Sequence, residues 1–274
     1  MPSRAWSPSG LRRAFPALER LPRLGGLSLW LFLAWSAVGL VVLAGRIPLP
    51  GGGWGDLVFM ALASVLIAVD LAVRYGGNGW WIAFAIIATG SGLVEGVGTL
   101  TGIPFGHYTY TAAFGPKVAG ILPVAIPLAW WIVLMGLRET LLAFPVYRKR
   151  RAPVRMVVLA VGAVLVDLVI EPFAWQVRGY WLWSGGGVYF NVPALNFLGW
   201  FGTALLLGGL SEPWLAKDRA IGRRWATGRS LAPGVLGVVL LSFVFGLLAA
   251  GFLIPALLGL ILAAIALVAG WRRP

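Results

Sequence analysis

The sequence predicts an all-α, polytopic transmembrane helical bundle of about eight spans, with both termini in the cytoplasm. Three observations carry this prediction. Of the 274 residues, 59% are hydrophobic and 11% charged, and the mean hydropathy is +0.88. A soluble domain has about a quarter of its residues charged and could not hide so much apolar surface. Second, the apolar runs are continuous and of bilayer length, roughly 20 residues each, where a β-barrel would show ten-residue alternating segments. Lipid offers the backbone no hydrogen bonds, so each run closes its own as a helix. Third, the basic residues fall on alternate loops.

The apolar segments lie at about 27–45, 57–75, 80–101, 118–137, 153–173, 193–214, 231–249 and 252–270. A tail, 1–26, rich in Arg and Pro, precedes the first. That first run is longer than the core of a cleaved signal peptide and has no small-residue cleavage site, so it reads as an uncleaved signal-anchor. The last two segments form one unbroken run of nearly 40 residues, too long for one span. Gly251 and Pro255 offer the turn chemistry inside it, which makes a tight hairpin. Residues 27–271 thus form a single transmembrane domain.

Charge tests the count. With the N-terminus inside, the cytoplasmic segments hold 19 of the 22 Lys and Arg, and the outer loops hold only Arg46, Lys117 and Arg178. Eight spans satisfy the positive-inside rule, whereas seven would place Arg272 and Arg273 outside. The formal charge of +13 is therefore a matter of topology and not a nucleic-acid footprint. The chain has no Cys, which excludes disulfides, thiolate metal sites and thiol nucleophiles. The expected location is the cytoplasmic membrane.

The outer loops 102–117 and 172–192 are rich in aromatics and glycine. An interfacial aromatic belt is the plain explanation, but a belt decorates both faces, and the inner loops hold few aromatics. This concentration points to a lid or pocket on the outer side. A faint internal repeat links the two loops. Gly106-His107-Tyr108-Thr109-Tyr110 matches Gly179-Tyr180-Trp181-Leu182-Trp183, and Pro123 and Pro193 each precede an aromatic pair, Trp130-Trp131 and Trp200-Phe201, by seven. Each loop also follows a span with acid near its outer end, as in a parallel repeat.

Of the nine acidic residues, Glu19, Glu139, Glu212 and Asp218 sit in basic segments and read as solvated partners of Arg and Lys. Asp56 stands at a span start, where helix caps are usual, and Asp70, one turn before Arg74, reads as half of a snorkelling ion pair. Glu95 and Asp167 lie about 22 and 21 Å along their spans at 1.5 Å per residue. Both are therefore in hydrocarbon toward the outer leaflet. Glu171 is one turn beyond Asp167 on the same helical face. Ionisable groups at such depth face the bundle interior or a functional cavity; carboxyls hydrogen-bonded between helices for structure alone are the other reading. His107 is the single histidine, too little for a dinuclear carboxylate site, so no metal is expected.

Carboxyls desolvated beside one another hold a proton at neutral pH. Such an acid can protonate an alkene, and aromatic faces stabilise the cation that results. The chain has no Walker loop, dinucleotide fingerprint, zinc motif or serine-hydrolase elbow. Acid–base chemistry on an apolar substrate, with no cofactor, is what the residues permit.

Two strings carry a resemblance. One runs Glu95-Gly96 … Gly102-Ile103-Pro104-Phe105-Gly106-His107-Tyr108-Thr109-Tyr110. The other runs Asp167-x3-Glu171-Pro172 … Trp181-x-Trp183 … Tyr189-x2-Val192-Pro193-x2-Asn196-Phe197-x-Gly199-Trp200. They resemble the CruF-type carotenoid 1′,2′-hydratases, closely over about 90–205, the expected catalytic core, and in span layout over most of the chain. The position before Pro172 is more often Asp in that family. The resemblance implies addition of water to the terminal C1′,2′ double bond of a ψ-end carotenoid such as γ-carotene or lycopene. Asp167 would be the acid, with Glu95 or Glu171 positioning water. Tyr108, Trp175, Trp181 and Trp183 would form walls that stabilise the cation, and Asn196 would hold the water. His107, Tyr110, Tyr189 and Trp200 complete the implied substrate site. The implied partners are carotenoid, water, membrane lipid and other enzymes of the carotenoid pathway. An intramembrane prenyltransferase would want acid pairs on two helices with nearby base, and a transporter or proton relay would want polar residues in the inner halves of spans three and five. The sequence supplies neither.

Overall fold

The computed structural model describes residues 22–45, 47, 53–221 and 229–272. Glu19 and the tail to residue 21 lie outside these residues, as does the side chain of Asp218. Eight helices among the described residues are long and apolar enough to cross a membrane. They are α1 (Pro22–Gly45), α2 (Trp54–Tyr75), α3 (Gly79–Thr101), α4 (Ala125–Leu142), α5 (Ala152–Glu171), α6 (Ala194–Ile221), α7 (Ala232–Ala249) and α8 (Leu253–Trp271). The chain is an all-α, multi-pass membrane bundle. The long C-terminal run does split at Gly251, whose φ of +84° is a left-handed conformation that glycine adopts without strain.

Helix α4 departs from expectation. Tyr108–Tyr110 forms a first strand, β1, and the helix then starts at Ala125, not 118, because Lys117–Val118 (β2) and Leu122–Pro123 (β3) form a small hairpin. Ala119 and Gly120 turn the hairpin at φ of 50° and 72°. At its far end α4 runs on to Leu142 and carries Arg138 and Glu139 inside the bundle.

The charges at that end are buried, which corrects the solvated reading of Glu139 and Glu212. Arg138 Nη1 meets Glu139 Oε1 at 2.6 Å, and its Nε meets Glu212 Oε2 at 2.6 Å. Arg155 reaches Glu212 at 3.0 Å, Arg74 reaches Glu139 at 3.6 Å, and the Tyr75 hydroxyl donates to Glu139 at 2.6 Å. Breaking one such buried partner costs several kcal/mol, about 3–5, since the other charge is left uncompensated. Asp70 is likewise no snorkelling residue. It is fully buried, and its Oδ2 accepts from Ser230 Oγ at 2.5 Å and from the backbone N–H groups of Leu231 and Ala232 at 3.0 and 3.3 Å. A side chain of α2 thus caps the orphan amides at the start of α7.

The opposite end of the bundle carries the two long loops. Tyr108–Tyr110 (β1) pairs antiparallel with Trp181–Trp183 (β4), in the register Tyr108 with Trp183 and Tyr110 with Trp181. The two stretches that match in sequence therefore meet in space, and Trp130 stacks on Trp200 at 4.1 Å. Between α5 and β4 the helix widens into a π turn, Pro172–Val177. Pro172 lacks the N–H that an α-helical bond would need, and Arg178 N instead reaches Phe173 O at 2.9 Å.

Candidate active site

Alternation along a strand places Tyr108 and Tyr110 on one face of β1, and Trp181 and Trp183 on one face of β4. Both faces hang over the acid-bearing ends of α3 and α5. Glu95 Oε2 accepts from the hydroxyls of Tyr108 and Tyr110, each at 2.7 Å, and its Oε1 accepts from Trp130 Nε1 at 2.9 Å. Glu171 Oε2 accepts from Trp181 Nε1 at 3.1 Å and Trp183 Nε1 at 2.9 Å. The amide of Asn196 donates to Glu171 Oε1 at 3.1 Å and to Asp167 Oδ2 at 2.7 Å. Each loop therefore supplies two aromatic donors, two residues apart, to the carboxyl of the helix that precedes it. The cradles touch, because the rings of Tyr108 and Trp183 lie 5.0 Å apart.

The close approach depends on glycine. A Cβ at Gly98 of α3 would fall 2.8 Å from the Phe105 ring and 3.1 Å from the Tyr108 hydroxyl, and one at Gly199 of α6 would meet Phe105 at 2.6 Å. Burial first, and then the Glu95 carboxyl, pushes the Tyr108 and Tyr110 phenols well above the ordinary tyrosine range. Both remain hydrogen-bond donors.

These groups wall a cavity of about 590 Å³. Glu95, Glu171, Tyr108, Tyr110, Trp181, Trp183, Asn196 and Trp200 all line it. The remaining expected residues lie elsewhere. Asp167 is fully buried behind Glu171, with Oδ1 unpartnered, and does not reach the cavity surface. Trp175 is turned off the cavity by the π turn, which presents Phe173 and Ala174 instead. His107 is exposed on the loop, and Tyr189 donates to Leu168 O at 2.7 Å outside the lining.

Sequence reasoning missed part of the wall. Phe105, Phe114 and Tyr180 could have been drawn from the aromatic loops, since they share the composition that marked their neighbours. Residues of α1 and α2 carried no signal, because a cavity-facing Val or Gly in a span looks like a lipid-facing one. Asp56 also lines the cavity. It stands in the first turn of α2, where its charge suits the helix dipole. Rather than capping, it pairs with Arg178 Nη2 at 2.8 Å.

The pocket thus presents two hydrogen-bonded carboxyls with a third behind them, an Asp56–Arg178 ion pair, and a wall that is for the rest mainly aromatic and aliphatic. Such a surface suits an apolar ligand and can move protons at one end of it. Over 107 residues the sequence is 31% identical to the bisanhydrobacterioruberin hydratase of Haloarcula japonica, covering 39% of this chain and 36% of that protein. The matched stretch is thus little more than a third of that relative's length. No solved structure matches. The sequence also matches the family described as carotenoid biosynthesis protein over residues 55–266, well over half of its length. The chain belongs to the carotenoid biosynthesis protein family.

Proposed function

We propose that this protein is a carotenoid hydratase that adds water across the C1′,2′ double bond of a ψ-end carotenoid, without a cofactor. The observation that carries the reading is the pair of carboxyls, Glu95 and Glu171, each held by aromatic donors on the wall of one apolar cavity. The relative from Haloarcula japonica, a hydratase by name, agrees with it.

The mechanism assigns roles by position. Asp167 and Glu171, bridged by the Asn196 amide, hold one proton between them, and Glu171 delivers it because it is the member that lines the cavity. The proton goes to C2′ and leaves a tertiary cation at C1′. The faces of Tyr108, Trp181 and Trp183 stabilise that charge by cation–π attraction. Three donors on Glu95 leave its carboxylate about one of four acceptor sites, enough to orient a water. Oxygen bonds to C1′, Glu95 takes the released proton, and the product is a tertiary alcohol. The balance is one water added, with the carboxyl pair recharged by the proton Glu95 gained.

We place the loop end of the bundle on the outer side of the cytoplasmic membrane, with both termini inside, from the basic asymmetry of the sequence. Water then reaches the carboxyls from the outer face while the substrate stays in lipid.

Expression in cells that accumulate lycopene tests the reading. A new pigment heavier by one water, carrying ¹⁸O when the purified protein is assayed in ¹⁸O-water, is the expected result. Unchanged pigment would overturn the substrate class. Activity abolished by a chelator and restored by a divalent ion would overturn the cofactor-free chemistry.

A further inference from the structure

Helix α1 lies before the segment that matches the family, yet it closes one side of the cavity. Its lining residues, Trp35, Ser36, Val38, Gly39, Val42 and Leu43, follow helical spacing on one face. It is also the least buried of the eight spans, with 17% of its apolar window inside the bundle. It packs against α2 and α7. Phe32 stacks on Phe59 of α2 at 5.5 Å, and Trp35 Nε1 donates to Gly55 O at 2.9 Å.

The mouth of the cavity is marked by lining residues that are also exposed. These include Trp35 and Val38 on α1, Trp54 and Val58 on α2, Ile47 between the two helices, and Ala113 on the loop above. All of them are apolar, and Trp35, Val38 and Val58 belong to spans, so the mouth opens toward lipid between α1 and α2, near the loop end. The charged part of the wall, Asp56 with Arg178, stands at the loop end. A cavity of about 590 Å³ takes the reactive end of a long polyene more readily than the whole molecule.

We propose that α1 is the substrate-admitting wall of this enzyme: the ψ end of the carotenoid passes between α1 and α2, and the polyene then lies in the mouth against Trp35, Val38 and Val58. This rests on the proposed carotenoid reading. Gly39 gives the clean perturbation, because a Cβ there meets nothing within 4 Å. A side chain at Gly39, itself a lining residue, starts in open space on the cavity wall.

The test uses the full chain in membranes supplied with lycopene. Gly39→Phe should fold and insert normally but lower hydration about a hundredfold, since misplacing the reacting end by about an ångström costs that much. Leu31→Phe, on the exposed side of α1 and outside the lining, should leave turnover at the wild-type level. A permeant maleimide gives a second readout that does not need turnover, as the chain has no native Cys. Lycopene should slow labelling of Val38→Cys and leave labelling of Leu31→Cys unchanged. Wild-type turnover in Gly39→Phe, equal losses in both Phe variants, or Val38→Cys labelled equally with and without lycopene would each overturn the proposal. Protection of Val38→Cys in a protein that never hydrates lycopene would support the admitting wall while sinking the hydratase reading.

Discussion

Replacing Glu171 with glutamine should damage the protein more than the same change at Glu95, because the donors around the two carboxyls differ in kind. At Glu171, Oε2 faces two indole N–H groups and Oε1 faces the Asn196 amide. Indoles donate and cannot accept. A glutamine that turns its NH₂ toward Trp181 and Trp183 orphans two buried donors. A glutamine that turns its oxygen there opposes NH₂ to the Asn196 NH₂, and rotating Asn196 then strips Asp167 of its donor. Either way a buried group loses its partner, at about 1–3 kcal/mol. At Glu95 the glutamine oxygen can face Trp130, while its NH₂ faces two tyrosine hydroxyls that rotate to accept. The structural cost there should stay under about 1 kcal/mol. Both variants lose a proton-transfer group, so turnover should fall roughly 10²–10⁴-fold in each. Thermal unfolding in detergent, run beside hydration of lycopene, separates the two effects. Equal losses of stability would refute the donor argument, and near-normal turnover in both would make the carboxyls structural.

Asp167→Asn can keep its oxygen toward Asn196 and place NH₂ where Oδ1 has no partner, so it should fold while turnover drops about 10²–10⁴-fold; wild-type rates would remove Asp167 from the proton path. Asp70→Ala removes three hydrogen bonds at the start of α7 and should cost about 2–4 kcal/mol, read as a lower Tm with no change in substrate affinity. Reporter fusions after Lys117 and Arg178 should read as outside, and those after Arg151 and at Pro274 as inside; a C-terminal fusion reading outside would sink the topology. Because the phenols of Tyr108, Tyr110 and Tyr180 are raised by burial, they stay protonated as pH passes the ordinary value of 10.0. Changing any of them to Phe should leave the ultraviolet absorbance of the folded protein on passing that pH unaltered, and tyrosinate absorbance that appears near that pH and shrinks in the variant would contradict their burial.

The sequence alone determined what lipid dictates locally. Each span closes its own hydrogen bonds along a continuous run, so the number of helices could be read in one dimension, as could the hairpin at Gly251 and the three acids set deep in apolar segments. The aromatic loops were legible for a similar reason: their composition has no counterpart at the other end of the bundle. What only the tertiary structure decided depends on partners far apart in the chain. Tyr75 and Glu139 are 64 residues apart, and Asp70 and Ser230 are 160 apart. Charges that read as solvated are therefore buried and paired, and a carboxylate that read as half of a snorkelling ion pair caps another helix. Helix α4 began late because residues 117–123 found each other as a hairpin, a choice hydropathy does not register. Glu171 and not Asp167 lines the cavity because it stands one turn nearer the loop, within reach of Trp181 and Trp183. The share of α1 in the wall was invisible, since a side chain facing an apolar cavity and one facing lipid obey the same solvation rule, and only packing tells them apart.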